Sequence, residues 1–185
     1  MKILLYGSKE FALVVAELVR HCGHTVSGMV DDYNSGTNIL GGIDTVMYSH
    51  PSSDYGLALA LGYNDIKARW IAWERSQSAG YFTPPLIHPR AYVADTAQVG
   101  QGTMVMAGAI IDTRVKIGCI NVLWPGVCIN HDTTLGSNSF VSPGVTICGF
   151  VNVGSHSFIG AGSVLVDHCT VPEASYIKMH SRYTS

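Results

Sequence analysis

Long apolar runs are missing from this chain. No stretch reaches the roughly 18 residues that a membrane-crossing helix needs, so no membrane partner is expected. Ile3-Leu4-Leu5-Tyr6, directly after Met1-Lys2, is too short for a secretory core and has no cleavage site behind it. Charge is sparse, at 13% of residues with a net −2, and forms neither a basic block nor an acidic tail. Nucleic acid is therefore not an expected partner. The five cysteines (Cys22, Cys119, Cys128, Cys148 and Cys169) contain no CxxC pair and are odd in number. That pattern suits reduced thiols in a cytoplasmic protein better than a disulfide framework. Among the eight histidines, His131, His156 and His168 show no short repeated spacing. No metal centre is expected, since zinc ligands must converge.

What is present divides into two halves. Over residues 1–86 the pattern predicts a small Rossmann-like α/β unit. Residues 2–7 read as a buried strand ending on Gly7, and residues 11–22 carry Phe11, Val14, Val15, Leu18 and Val19 at helical spacing. Thr25 to Val30 reads as a second strand closed by Asp31-Asp32, and Tyr55 to Leu61 as a third before Gly62. Asn64 is placed to cap a helix carrying Ile66, Trp70, Ile71 and Trp73 on one face and stopping at Gly80. Such a parallel sheet favours ligands at the C-terminal ends of its strands. Gly7-Ser8, Asp31-Asp32 and Gly62-Tyr63-Asn64 would line that edge. An acidic residue there can hydrogen-bond a nucleoside; it can equally just end a strand and start a turn. There is no GxGxxG, because Gly7 is followed by Ser8-Lys9-Glu10-Phe11, so a dinucleotide site is not supported.

The second half carries a period of six. Counting by six from Val93 to Val171 meets fourteen aliphatic residues without a miss. Neither a helix nor a half-buried strand has that period; a solenoid built of short strands and corners does. Gly100, Gly118, Gly136 and Gly154 recur every eighteen residues, as do Gly108, Gly126, Gly144 and Gly162. Three hexads therefore make one coil of triangular section, a parallel β-helix over 87–172, with 173–185 expected as a short polar tail. Glycines stack at corners where φ is positive or backbones approach closely. Flat, small-residue outer faces invite self-association, and a three-sided prism suits a homotrimer.

His131 stands out among the polar residues. It follows the inward Ile129 by two positions, which puts it at a corner, with Asn130 before it and Asp132 after it. A carboxylate beside an imidazole fixes its tautomer and supports its charged form, which suits a general base. A surface histidine on a solenoid is the other reading of the same residues.

Residues 87–171 resemble the hexapeptide-repeat acyltransferases. With the first half included, the chain resembles the subgroup that acetylates nucleotide-linked amino sugars or sialic acids. The landmarks are Gly62 after Ala58-Leu59-Ala60-Leu61, Ile87-His88-Pro89, Ile129-Asn130-His131-Asp132 and Ser142-Pro143-Gly144. The resemblance implies a left-handed coil and an acetyl-CoA-dependent N-acetyltransferase acting on a nucleotide-linked amino sugar. A sialic-acid-type O-acetyltransferase and a catalytically degenerate trimeric binding protein are the alternatives it leaves. By resemblance His131 is the catalytic base and Asp132 its acidic partner. Phe140, Gly149, Gly160 and Ala161 fall at the coenzyme A cleft between subunits, and Gly7, Ser8, Asp31, Asp32, Gly62 and Asn64 at the sugar nucleotide. The chain departs from the family at Glu10-Phe11-Ala12, where Gly-His-Gly or Gly-His-Ala is usual. It departs again at Phe140, where a histidine commonly contacts the acetyl group, and at Val171-Pro172, where the coil is expected to stop early.

Overall fold

The computed structural model describes residues 1–184. The chain divides into two compact units, Met1–Leu86 and the remainder from Ile87.

The first unit is a four-stranded parallel sheet in the order β3-β2-β1-β4. Its strands are β1 (Lys2–Tyr6), β2 (Thr25–Val30), β3 (Ile39–Gly41) and β4 (Tyr55–Leu59). Ile3, Leu4, Leu5, Leu57 and Leu59 are fully buried in β1 and β4, where the continuous apolar runs need cover on both faces. Helix α1 (Glu10–His21) buries Ala12, Val15, Ala16, Leu18 and Val19, close to the expected face. The short β3 and the helix α2 (Ile43–Ser49) had no counterpart in the sequence pattern.

Helix α3 (Ile66–Ser78) corrects two expectations. Its N-cap is Asp65, whose carboxylate accepts from the Ala68 N–H at 2.7 Å; Asn64 lies in the preceding single 3-10 turn. The buried face is Arg69, Ala72 and Ser76, whereas Ile71 is 46% exposed. The guanidinium of Arg69 donates to the Leu61 carbonyl at 2.7 Å, which satisfies a backbone group where β4 has ended. That hydrogen bond is what an apolar-periodicity argument could not anticipate. No described helix is long and apolar enough to cross a membrane.

The second unit is a parallel β-solenoid of two-residue strands in three sheets of five, six and six. Every strand pairs in parallel with one eighteen residues away, as Val122 with Phe140 and Cys128 with Thr146. One residue of each strand points inward, and Val105, Ile111, Leu123, Ile129, Val141, Ile147, Ile159 and Leu165 are fully buried. This matches the architecture expected from the period of six and is consistent with the left-handed β-helix.

The two glycine series answer to different physics. Gly108, Gly126, Gly144 and Gly162 have φ between 66° and 73°, the left-handed conformation a glycine adopts at no steric cost. Gly100, Gly118, Gly136 and Gly154 are held by crowding. A Cβ on Gly136 would lie 2.6 Å from the Ser155 nitrogen, and one on Gly154 2.4 Å from that of Glu173.

The coil does not stop at Val171. Strands Tyr176–Ile177 and Arg182–Tyr183 extend two of the sheets, so residues expected as a polar tail are part of the solenoid. Ile177 is 5% exposed and sits on the same count of six, as does Ile87 at the other end. Tyr183 fills the last such position with an aromatic instead of an aliphatic residue, which hides the continuation from an aliphatic count.

Candidate active site

Each corner of the coil needs one residue per turn in the left-handed region. At one corner these are Arg114, Asp132, Phe150 and His168, with φ of 57°, 58°, 57° and 64°. Aspartate tolerates that conformation better than most side chains, because its short polar group bonds locally. Stacking at intervals of eighteen residues brings these four side chains into one column. His131 immediately precedes that column, following the inward Ile129.

The geometry at this corner is specific. Nδ1 of His131 lies 2.9 Å from Oδ2 of Asp132. Arg114 grips the same carboxylate with both arms, Nε to Oδ1 and Nη2 to Oδ2, each at 2.7 Å. These contacts, that of Arg114 first and that of His131 second, hold the Asp132 carboxyl well below the usual carboxylate range. An ionised carboxylate only accepts, so the proton between the pair belongs to Nδ1. The neutral ring then carries its lone pair on Nε2. The imidazole side chain is 45% exposed, while Asp132 is 23% exposed.

Packing fixes the ring further. Phe150 meets His131 edge-on at 5.3 Å between centroids and stacks on His168 at 4.9 Å. Gly149 leaves the space that the imidazole fills, and its N–H donates to Asp167 at 2.8 Å. A neutral imidazole so held can take a proton at Nε2 from an attacking amine or hydroxyl. The charge it then carries is paired with Asp132.

The structure distributes the other expected site residues unevenly. Gly149 adjoins His131 directly. Gly160 and Ala161 belong to the corner of Gly162, a different edge of the coil; the Gly160 N–H bonds Ile177, and the Ala161 carbonyl accepts from His180. Phe140 stands in the row between Val122 and Phe158 and is 1% exposed, so its ring presents no open surface. Arg114 and Phe150 did not figure in the sequence reading. Their signal was the interval of eighteen from Asp132.

In the first unit, Ser8 and Asp31 do meet, the hydroxyl donating to the carboxylate at 2.5 Å. Asp31 also accepts from the backbone of Tyr33 and Asn34 and from the Asn34 amide, and these bonds, against the effect of burial, lower its pKa. Asp32 accepts from Tyr6 at 2.5 Å, from Arg75 at 2.6 Å and from the Ile43 N–H at 3.0 Å, at the start of α2. Both acids therefore already serve the unit's own loops. Gly7 takes φ of 124°, and a Cβ there would lie 2.5 Å from the Ala60 carbonyl oxygen. Gly62 and Asn64 are exposed. Among the described residues, no group of three or more His, Cys, Asp or Glu side chains could hold a metal ion.

Comparison with known proteins agrees with this architecture. Residues 114–149 match the family model of the bacterial transferase hexapeptide (six repeats). No curated protein sequence matches the chain significantly. Among solved structures, a histidine-to-asparagine variant of perosamine N-acetyltransferase from Caulobacter crescentus, in complex with CoA and GDP-perosamine, superimposes with a TM-score of 0.91. It is 25% identical, and the match covers 100% of this chain and 89% of that one. The acetyltransferase domain of PglB from Neisseria gonorrhoeae FA1090, in complex with acetyl coenzyme A, is 26% identical with a TM-score of 0.84. That match covers 96% of this chain and 88% of the domain. WeeI from Acinetobacter baumannii AYE, at 17% identity and a TM-score of 0.84 over 100% of this chain and 92% of its own, shares the fold. By its repeats and by these neighbours, the chain is an acyltransferase similar to the hexapeptide-repeat sugar N-acetyltransferases.

Proposed function

We propose that the protein transfers the acetyl group of acetyl-CoA to the amino group of a nucleotide-linked amino sugar, with His131 as general base. The observation that carries this reading is the His131–Asp132 pair at an exposed corner. Its setting is a fold whose neighbours were solved with CoA and GDP-perosamine or with acetyl coenzyme A. Nε2 of His131 removes a proton from the amine as it attacks the thioester carbonyl. The tetrahedral oxyanion collapses, the carbon–sulfur bond breaks, and the imidazolium returns its proton to the departing thiolate. A backbone N–H is the donor type suited to the oxyanion.

The amino acceptor is favoured over a hydroxyl because the perosamine neighbour is named as an N-acetyltransferase. Gly149, beside His131, would contribute to the coenzyme cleft, with Phe140, Gly160 and Ala161 on other parts of the coil. Those residues lie at a different edge or in a buried row, so a cleft that uses Gly160 and Ala161 is best completed by a second copy in a homotrimer. Gly7, Ser8, Asp31, Asp32, Gly62 and Asn64 would hold the sugar nucleotide at the C-terminal edge of the first unit's sheet.

Acetyl-CoA turnover with a panel of amino-sugar nucleotides, read as free thiol, tests this. Wild-type protein should turn over with at least one acceptor, and His131→Ala should lose at least about 100-fold, the usual scale for a general base. Equal rates in the two proteins would remove His131 from the mechanism. No turnover, and no rise in melting temperature with CoA or sugar nucleotide, would leave a binding protein in its place.

A further inference from the structure

We infer that Arg114 is a positioning residue for the general base, acting on His131 through Asp132. This deepens the acetyltransferase reading and rests on it for its consequence in rate, though not for its physical test.

The inference stands on the fork at the corner. Arg114 and Asp132 occupy equivalent places in successive turns, both in the left-handed conformation, so the coil itself sets the guanidinium beside the carboxylate. Both oxygens of Asp132 are gripped at 2.7 Å, and Oδ2 is shared with Nδ1 of His131 at 2.9 Å. A carboxylate held by two parallel bonds cannot rotate away, so the imidazole bonded to it through Nδ1 keeps one orientation. The backbone of Arg114 is tied as well, its N–H donating to the Thr96 hydroxyl at 3.0 Å.

The fork has a second effect. Alone, Asp132 would favour the imidazolium strongly. With Arg114 on both of its oxygens the charges partly cancel, and the guanidinium also repels a protonated ring. Arg114 thus offsets the pull of the Asp132 carboxylate on a proton at the ring. The other titratable groups around this corner are few. Asp112 lies near Arg114 and Cys128, Asp167 binds the Gly149 N–H and lies near Cys148, and His168 is separated from His131 by the Phe150 ring. Lys116 lines the same hollow as Arg114 and Asp132, and the charges that act on the Asp132 carboxylate are those of Arg114 and His131.

The test uses the full chain and two variants, Arg114→Gln and Arg114→Lys. Arg114 is 62% exposed, so both should fold, which melting temperature verifies. The first readout is the NMR titration of the His131 ring, which needs no activity. In Arg114→Gln the midpoint should move to higher pH; in Arg114→Lys, which keeps the charge, it should move less. The second readout is the pH profile of kcat/KM. On its acid limb Arg114→Gln should lose about threefold more than on its plateau, the scale of one exposed ion pair. A purely structural arginine would lower the whole profile without shifting the limb. An unmoved His131 titration in Arg114→Gln overturns the inference, whether or not the protein transfers acetyl groups. A moved titration without turnover keeps the inference about Arg114 and removes the acetyltransferase reading.

Discussion

The imidazole of His131 occupies the space that a side chain on Gly149 would need. A Cβ there would lie 2.9 Å from Cε1 and 3.1 Å from Nε2 of the ring. Gly149 itself is buried and has no left-handed φ, so the ring alone accounts for the requirement.

Gly149→Ala should therefore act on the ring rather than on the coil. Alanine suits the backbone there, and a 45% exposed imidazole can swing away. Swinging away breaks the 2.9 Å bond to Asp132. Stability should change by less than about 1 kcal/mol, while turnover falls about tenfold or more, on the scale of a displaced general base. A melting temperature that drops steeply, or a rate that does not, would contradict this account.

Asp132 gives a prediction in pH. Its carboxyl titrates lower in the folded protein than in the unfolded chain, because Arg114 and His131 stabilise the anion. The stability it contributes is present above the unfolded value of about 3.9 and is lost as pH falls below it. Asp132→Asn removes that dependence while keeping a residue comfortable at φ of 58°. The melting-temperature gap between wild type and Asp132→Asn should be widest above about pH 4 and close on acidification. With Arg114 62% exposed, the gap should also narrow in high salt. A gap independent of pH would mean that the pair adds nothing through its charge.

Much of this fold was legible because a coil repeats its environment. Ile129 and Ile147 face the same interior, so the sequence must repeat aliphatics at one interval, and no helix imitates six. His131 was legible for a related reason, since it breaks the repeat next to an acid. Arg114 was not, because its partner lies a whole turn away and nothing within six residues marks it. In the first unit, the place of Asp32 at the end of a strand was legible, but the partners that hold it were not. Its bonds to Tyr6, Arg75 and Ile43 join residues up to 43 positions apart, and no local pattern carries such a network. Asn64 failed as a cap by one residue, since Asp65 satisfies the same rule.

The end of the coil supplies the last prediction. A chain ending at Pro172 would be harmless if the remainder were a tail. Instead Ile177 is 5% exposed in the interior row, and the Ser163 hydroxyl donates to the Lys178 carbonyl at 2.9 Å. The Gly160 and Ser163 region is roofed by the same segment, since a Cβ on Gly160 would lie 2.4 Å from the Met179 nitrogen. Truncation after Pro172 therefore uncovers Ile159 and Leu165, which are fully buried in the intact chain. It also leaves the strand at Phe158–Ile159 with an unpaired edge, a template for association. Ile177→Ala should cost about 2 kcal/mol in chemical denaturation, the low end for a buried isoleucine near a chain end. The truncated protein should unfold at lower denaturant and aggregate at concentrations where the full chain stays dispersed. Equal stability of the truncated and full chains would mean that the last turn does not seal the interior, and that the solenoid ends at Val171 in energetic terms despite its continued strands.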